Sequence, residues 1–430
     1  MLRKLEGIEK SFAGPDMSSF LNLAIKFEDQ KSLNKALNNF KKIFGGRSLK
    51  VVDGAIYKSS EMSPIEKLPM WIQDCHSACD WVQNHTKPID QTLTTISHND
   101  SIIAINSNHN VSDGGFMLRA FKHCLDDDIG EYPFGESPLA ISEAFKDELA
   151  ECEKIQPELF KHSLNTCFPF DPKDPHLVPR ERRNEMKHVM IEDKLDTNLL
   201  QCFDKKLHRP KNLTESIMMA MSLTLSTFNN YNCDHESLSK QIDRLGLTMV
   251  YDLRRFTNPQ NINWRYANAV SSISLQTIPN DRDSLSDICK KFRNVILEVQ
   301  GPPIFYNVNH GEYNSKPYHI HGCSSNLGPI VIKRPIKDFH INAKYVTSSD
   351  FYDSGENGSD IFFLTFSKVT QTKNELSTLL CSAPTTVTGK TFHIFHETLF
   401  HILKDIPYDT NIVEAYKEIK DFQNKLSAEY

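Results

Sequence analysis

The stretch that most limits what this 430-residue chain can become is the junction SIIAINSN, HNVSDGG, FMLRAFKHCL at residues 101–125. Ile102 to Ile105 form an apolar run of strand length, and Phe116, Leu118, Ala120, Phe121 and Leu125 place a mostly apolar helix soon after. His109 ends the strand, while Gly114 and Gly115 lie where the loop turns into the helix. A helix start leaves backbone N–H groups without intrahelical partners, so a side chain projected from the strand end meets open donors. The chain must therefore combine strand and helix units in one core.

The rest of the sequence continues that alternation. FLNLAIKFED (20–29) alternates as a half-buried strand, and QKSLNKALNNFKKIF carries Leu33, Ala36, Leu37 and Phe40 at helical spacing. SLKVVDGAIYKS (48–59) reads as a strand or hairpin, and LTTIS and SIIAINSN as two strands joined by a polar turn. NTCFPFDPKDPHLVPRERRNE (165–185), with four prolines in a polar context, is predicted to carry no regular element and to link domains 1–164 and 186–430. Beyond it, HVMIED, GLTMVYDLRR, RYANAVSSISLQTI, HGCSSNLG, FHINAKYVTS and DIFFLTFSKV read as strands. NLTESIMMAMSLTLSTF, capped by Asn212 or Thr214, DSLSDICKKFRNVILEV and TFHIFHETLFHIL read as helices. There is no short-period repeat.

Composition removes several classes of function. With 39% hydrophobic and 24% charged residues the chain is of the soluble globular type, long enough for two ordinary cores. A net charge of −6 without a long basic run argues against a nucleic-acid partner, and RERR (180–183) and KRPIK (333–337) read as solvated surface. Ten cysteines without a CxxC pair read as buried thiols of an intracellular protein rather than a disulfide framework. The N-terminal MLRKLEGIEKSF is charged where a signal peptide is apolar, and no segment approaches the roughly 18 apolar residues of a membrane span, so a cytoplasmic location is expected.

His109 and Asp113 stand four residues apart, a spacing at which the carboxylate can brace the loop through an ion pair elsewhere without orienting the imidazole. An isolated histidine at such a place can be a satisfied structural side chain or a general base. HNVSDG resembles the HxxxDG motif of the acyltransferase superfamily that includes chloramphenicol acetyltransferase, plant and fungal alcohol acyltransferases, and the condensation domains of peptide synthetases. DLRR (252–255), NAVSS (268–272) and SNLG (325–328) resemble, in the same order, recurring segments of its alcohol acetyltransferase and condensation-like branch.

The resemblance implies an α/β (mixed α+β) architecture of two chloramphenicol-acetyltransferase-like domains with a tunnel between them. It implies an acyltransferase that moves an acyl group, such as acetyl, from acyl-CoA to a small-molecule alcohol or amine, with His109 as general base. Asp113 becomes the structural brace, paired with Lys50 or Arg254, and Ser325 or Asn326, next to Ser324, the helper of the oxyanion. Gly114 and Gly115 are expected to let the backbone approach the channel, and Lys333 and Arg334, with Lys337 and Lys344, to meet the CoA phosphates unless they are solvated surface. Asn108 stands where condensation domains carry a second histidine, and no DFGWG segment occurs, so a stand-alone monomer using free acyl-CoA is expected, with no tightly bound cofactor. The alternative is a catalytically idle member of the fold that binds an acylated ligand or a partner protein. No metal is expected: HIHGC (His319, His321, Cys323) lacks a second cluster, and the histidines of HETLFH (396–401) are five apart rather than i, i+4. No GxGxxG or Walker A sequence is present.

Overall fold

Strand β2 (Met17–Phe27) is an interior strand of a first sheet, covered on both faces. The structure, a computed structural model, describes residues 1–7, 9–13, 17–154, 167–169, 189–229, 245–257, 262–305, 319–347, 359–382 and 387–429. On one face of β2, Leu21, Leu23, Ile25 and Phe27 share a core with Leu33, Phe40 and Ile43 of helix α2 (Gln30–Ile43). On the other, Ala24 lies under Cys75, Ala78, Cys79 and Val82 of α3 (Cys75–Asn84). Asp29 and Asp74 start these helices by accepting from the backbone N–H of Ser32 and Ser77. The expectation of a half-buried strand is corrected here: α3, which the periodicity of the sequence did not expose, covers the second face.

The sheet runs β15 (Ile336–Thr347), β2, β7 (Ile102–Asn108), β6 (Thr94–His98), β5 (Ile65–Lys67), antiparallel except for β5 with β6. A small sheet, β1 (Arg3–Lys4), β4 (Ala55–Lys58), β3 (Leu49–Val52), flanks it, and α1 (Glu9–Phe12) brings Phe12 towards the end of β7. The β3–β4 turn places Asp53 and Gly54 at φ 50° and 67°, the positive pair that a tight hairpin needs. Helix α4 (Gly114–His123) follows β7 as the apolar spacing requires.

The second sheet runs β13 (Val270–Thr277), β12 (Leu245–Asp252), β14 (His319–Val331), β16 (Ser359–Val369), β17 (Asn374–Ser382), β9 (Val189–Asp196), with β14 parallel to both neighbours and β8 (Cys167–Pro169) added beside it. Its core centres on α7 (Leu213–Asn229), mostly apolar and buried from Ile217 to Phe228. α8 (Leu285–Glu298), opened by a capping box of Ser284 and Asp287, α9 (Gly389–Lys404) and α10 (Ile412–Glu429) complete it. β17 and α10 have no counterpart in the sequence reading. A hairpin of β10 (Phe203–Asp204) and β11 (Arg209–Pro210) lies outside the main sheets.

Segments on either side of the proline-rich stretch contribute to both cores. Ile141 of α5 (Ile141–Ala144), Phe145, and Leu149 and Cys152 of α6 (Lys146–Cys152) already belong to the second core. Conversely β15 returns to pair with β2 along its length, contributing Phe339, Ile341 and Ala343 to the first core. Without it β2 would be an open apolar edge. Within the proline-rich stretch, Cys167–Pro169 forms β8 against His319–His321, a correction to the expectation of no regular element; residues 170–185 lie outside the described residues. Among the described residues no helix is long and apolar enough to cross a membrane, and Cys75, Cys79, Cys124, Cys152, Cys202, Cys289, Cys323 and Cys381 are buried.

A fragment of residues 1–164 lacks β15 and leaves α6 without its core. Expressed alone, it should aggregate or lack a cooperative thermal transition by circular dichroism; a monomeric, cooperatively melting fragment would contradict this topology.

Candidate functional site

The loop after β7 is fixed from below by Asn108. Its buried amide donates to the carbonyls of Phe12 at 3.0 Å and Ser19 at 3.2 Å, and its Oδ1 accepts from Asn110 N at 3.1 Å. Asn108 is thus a structural pin. His109 donates its backbone N–H to Ser19 O at 2.8 Å, and its ring stacks on Phe12 with centroids 4.0 Å apart and planes 20° apart. Its Nδ1 is enclosed without a hydrogen-bond partner among the described residues. Burial holds the imidazole below its ordinary pKa, while the Asp113 carboxylate and its own backbone carbonyl pull weakly the other way. The ring is therefore neutral at neutral pH, the form that accepts a proton.

Asp113 is turned to other partners. One carboxylate oxygen caps α4 by accepting from Phe116 N at 2.8 Å, and the other accepts from Ala269 N at 2.7 Å. Arg254 Nη2 lies 2.8 Å from Oδ1 and 2.9 Å from Oδ2. Of the two cations considered from sequence, Arg254 and not Lys50 is the partner. Arg254 follows β12 in the second lobe and is itself held by Tyr266 O at 2.8 Å, Ala267 O at 3.0 Å and Asp252 Oδ1 at 2.8 Å. Its burial disfavours the charge, but Asp113 and Asp252 outweigh this and raise its pKa. HNVSDGG, DLRR and NAVSS are thereby drawn into one junction. Within it the side-chain amides of Asn110 and Asn268 are buried with neither end hydrogen-bonded among the described residues. Sequence reading missed Asn268 as a site residue, although the NAVSS segment that carries it stood out.

The paired glycines leave room for this junction. A Cβ on Gly115 would lie 2.4 Å from Asp252 Oδ2 and 2.7 Å from Arg254 Nη1, and one on Gly114 would lie 2.8 Å from Leu327 Cδ2. That last contact seats β14 beside the loop, with Ser324 and Ser325 buried in the strand. Asn326 is engaged at both ends: it donates to Thr214 Oγ1 at 3.0 Å and accepts from Gly328 N at 2.9 Å. It shapes the bulge at which the strand register shifts before Pro329, aided by Gly328 at φ 76°.

Lys333 and Arg334 are exposed on the turn from β14 to β15, and Arg334 lies 3.3 Å from Glu28, just past β2. His109 is anchored at Ser19, near the opposite end of that strand, about 30 Å away at strand rise. The expected phosphate-binding pair does not flank the loop. Lys337 is exposed, and the side chains of Lys344, His319 and His321 lie outside the described residues. In HETLFH, His396 is buried and His401 meets Asp405 at 3.0 Å.

No family model and no curated protein matches this chain. Solved structures do. The first condensation domain of the calcium-dependent antibiotic synthetase, in complex with a substrate analogue, aligns with TM-score 0.61 at 10% identity over 96% of this chain and 98% of that one. Polyketide synthase associated protein 5 from Mycobacterium tuberculosis aligns with TM-score 0.55 at 13% identity over 94% and 98%. The X-domain from teicoplanin biosynthesis, in complex with OxyB, aligns with TM-score 0.55 at 10% identity over 95% and 94%. The fold is the two-lobed one of condensation domains, a chloramphenicol-acetyltransferase-like pseudo-dimer.

Removing one partner of a buried, hydrogen-bonded ion pair leaves the other charge uncompensated. Asp113→Asn or Arg254→Ala should therefore cost roughly 3–5 kcal/mol in urea unfolding. Gly115→Ala should cost about 1–3 kcal/mol through overpacking, whereas Lys333→Ala should stay within about 0.5 kcal/mol.

Proposed function

We propose that this protein transfers an acyl group from a thioester, acyl-CoA being the donor, to the hydroxyl or amine of a small molecule, with His109 as general base. The observation that carries the reading is the neutral, desolvated imidazole at the strand-to-helix junction, with its Nδ1 enclosed and no carboxylate aligned to it. Nε2 is then the nitrogen offered to an acceptor. As the acceptor attacks the thioester carbonyl, Nε2 takes its proton. The tetrahedral intermediate collapses with cleavage of the C–S bond, and the departing thiolate recovers the proton from the imidazolium. Ser325, buried beside the loop, is the better oxyanion helper, since the amide of Asn326 is occupied within the bulge. Asp113 acts as a positioning residue through Arg254.

A second reading keeps the fold and drops the chemistry, the chain serving as a docking platform; it is supported by the X-domain, of like fold, solved in complex with OxyB.

The discriminating measurement is thiol release from acetyl-CoA across a panel of alcohols and amines. His109→Ala should lower the acceptor-dependent rate by about 10²- to 10⁴-fold. Because a base works unprotonated and burial lowers its pKa, the acid limb of kcat/KM should fall below the usual imidazole value of about 6.5. If no acceptor raises turnover above hydrolysis and His109→Ala changes nothing, the docking reading replaces the catalytic one.

A further inference from the structure

Away from the His109 loop, three side chains from separate elements converge. His76 is the second residue of α3 and His340 lies on β15, both in the first lobe, while Glu192 lies on β9 at the edge of the second sheet. Their ligating atoms all lie within 4.8 Å of one another. His76 Nε2 is 2.9 Å and His340 Nε2 3.0 Å from the same oxygen, Oε2, of Glu192.

The outward-facing atoms of two of these residues are held by the protein. Glu192 Oε1 accepts from the Asn342 amide at 2.8 Å. Asn342 in turn accepts from Asn22 at 2.8 Å, and Asn22 from Asn106 at 2.8 Å, so a line of amides crosses β15, β2 and β7 behind the carboxylate. His76 Nδ1 faces Asp80 at 3.3 Å, one helical turn on. Carboxylate and amide partners of this kind are what orient histidine and carboxylate ligands around a cation.

The inward atoms are less well served. Neither ring nitrogen of His340, nor Glu192 Oε2, makes a hydrogen bond of acceptable geometry among the described residues, although all three are buried and Nε2 and Oε2 are only 3.0 Å apart. Two imidazole nitrogens and a carboxylate oxygen this close together form a donor set that a cation would satisfy. Ligands of a tetrahedral zinc ion at about 2.0–2.1 Å are about 3.4 Å apart, so a small opening of the cluster would admit the ion. Beside it lies a cavity of about 340 Å³, lined among others by Asp74, Asp193, Phe366, Ser377 and Thr378, with room for a water at a fourth position.

We propose that His76 Nε2, His340 Nε2 and Glu192 Oε2 bind a divalent cation of the zinc class, completed by water from the cavity, and that this cation ties α3 and β15 of the first lobe to β9 of the second. The donor set, two imidazoles and a carboxylate, suits borderline cations such as zinc and disfavours magnesium or calcium, which prefer oxygen alone. The site is independent of the acyl-transfer reading.

The test strips the full-length protein with a chelator and titrates it with Zn²⁺ against a chromophoric competitor. One equivalent should bind, and Zn²⁺ should raise Tm. His340→Ala and Glu192→Gln should each weaken binding more than about 100-fold and abolish the Tm response, and Asp80→Asn should weaken it about 10- to 100-fold. His76→Ala, at a half-exposed position, supplies a folded variant if a buried substitution unfolds the chain. His109→Ala should bind Zn²⁺ as the wild type does, so failure of one proposal is separable from failure of the other. Absence of stoichiometric uptake, or equal affinity in the His76, His340 and Glu192 variants, overturns the site and assigns any bound zinc to other histidines.

Discussion

The buried pair between Asp113 and Arg254 is the constraint on which the junction of the two lobes depends. Taking both charges out of water costs several kcal/mol each, and their attraction offsets this only when the remaining donors and acceptors are filled. Here they are: Arg254 reaches three further acceptors, and Asp113 accepts two backbone N–H groups. One of those belongs to α4 and the other to Ala269, just before β13, so a single carboxylate ties the helix after the His109 loop to the opposite lobe. Gly115 is glycine because any larger residue would occupy the space that the Asp252 and Arg254 side chains need.

Much of the first sheet was legible because its signals are local. IIAI, the Asp53–Gly54 turn and the spacing from Leu33 to Phe40 specify strands, hairpin and helix without reference to the rest of the chain. The missed elements were those whose character depends on partners. The apolar positions of α3 are Cys75, Ala78, Cys79 and Val82, small residues whose burial follows from lying against Ala24 and Ala104. β15 read correctly as a strand, yet nothing local says that it crosses to β2, or that Phe145 and Leu149 pack into the second core. The same distinction separates the two polar clusters. HNVSDGG is contiguous and could be recognised; His76, Glu192 and His340 come from three distant segments, and the expectation of no metal considered only histidines close in sequence.

Burial acts in the same direction on the two basic side chains nearest the proposed chemistry, and their neighbours decide the outcome. Both are desolvated, which disfavours charge. Arg254 is faced by two carboxylates and stays ionised; His109 has Phe12 against its ring and no hydrogen-bonded carboxylate, and is held neutral. Had the Asp113 carboxylate turned towards Nδ1, it would have favoured the imidazolium and shifted the onset of base catalysis to higher pH. Arg254 prevents that by engaging both oxygens of Asp113. The four-residue spacing of His109 and Asp113 thus keeps the carboxylate off the imidazole: the carboxylate fixes the loop from which the ring projects, and burial outweighs its remaining pull on the ring's charge.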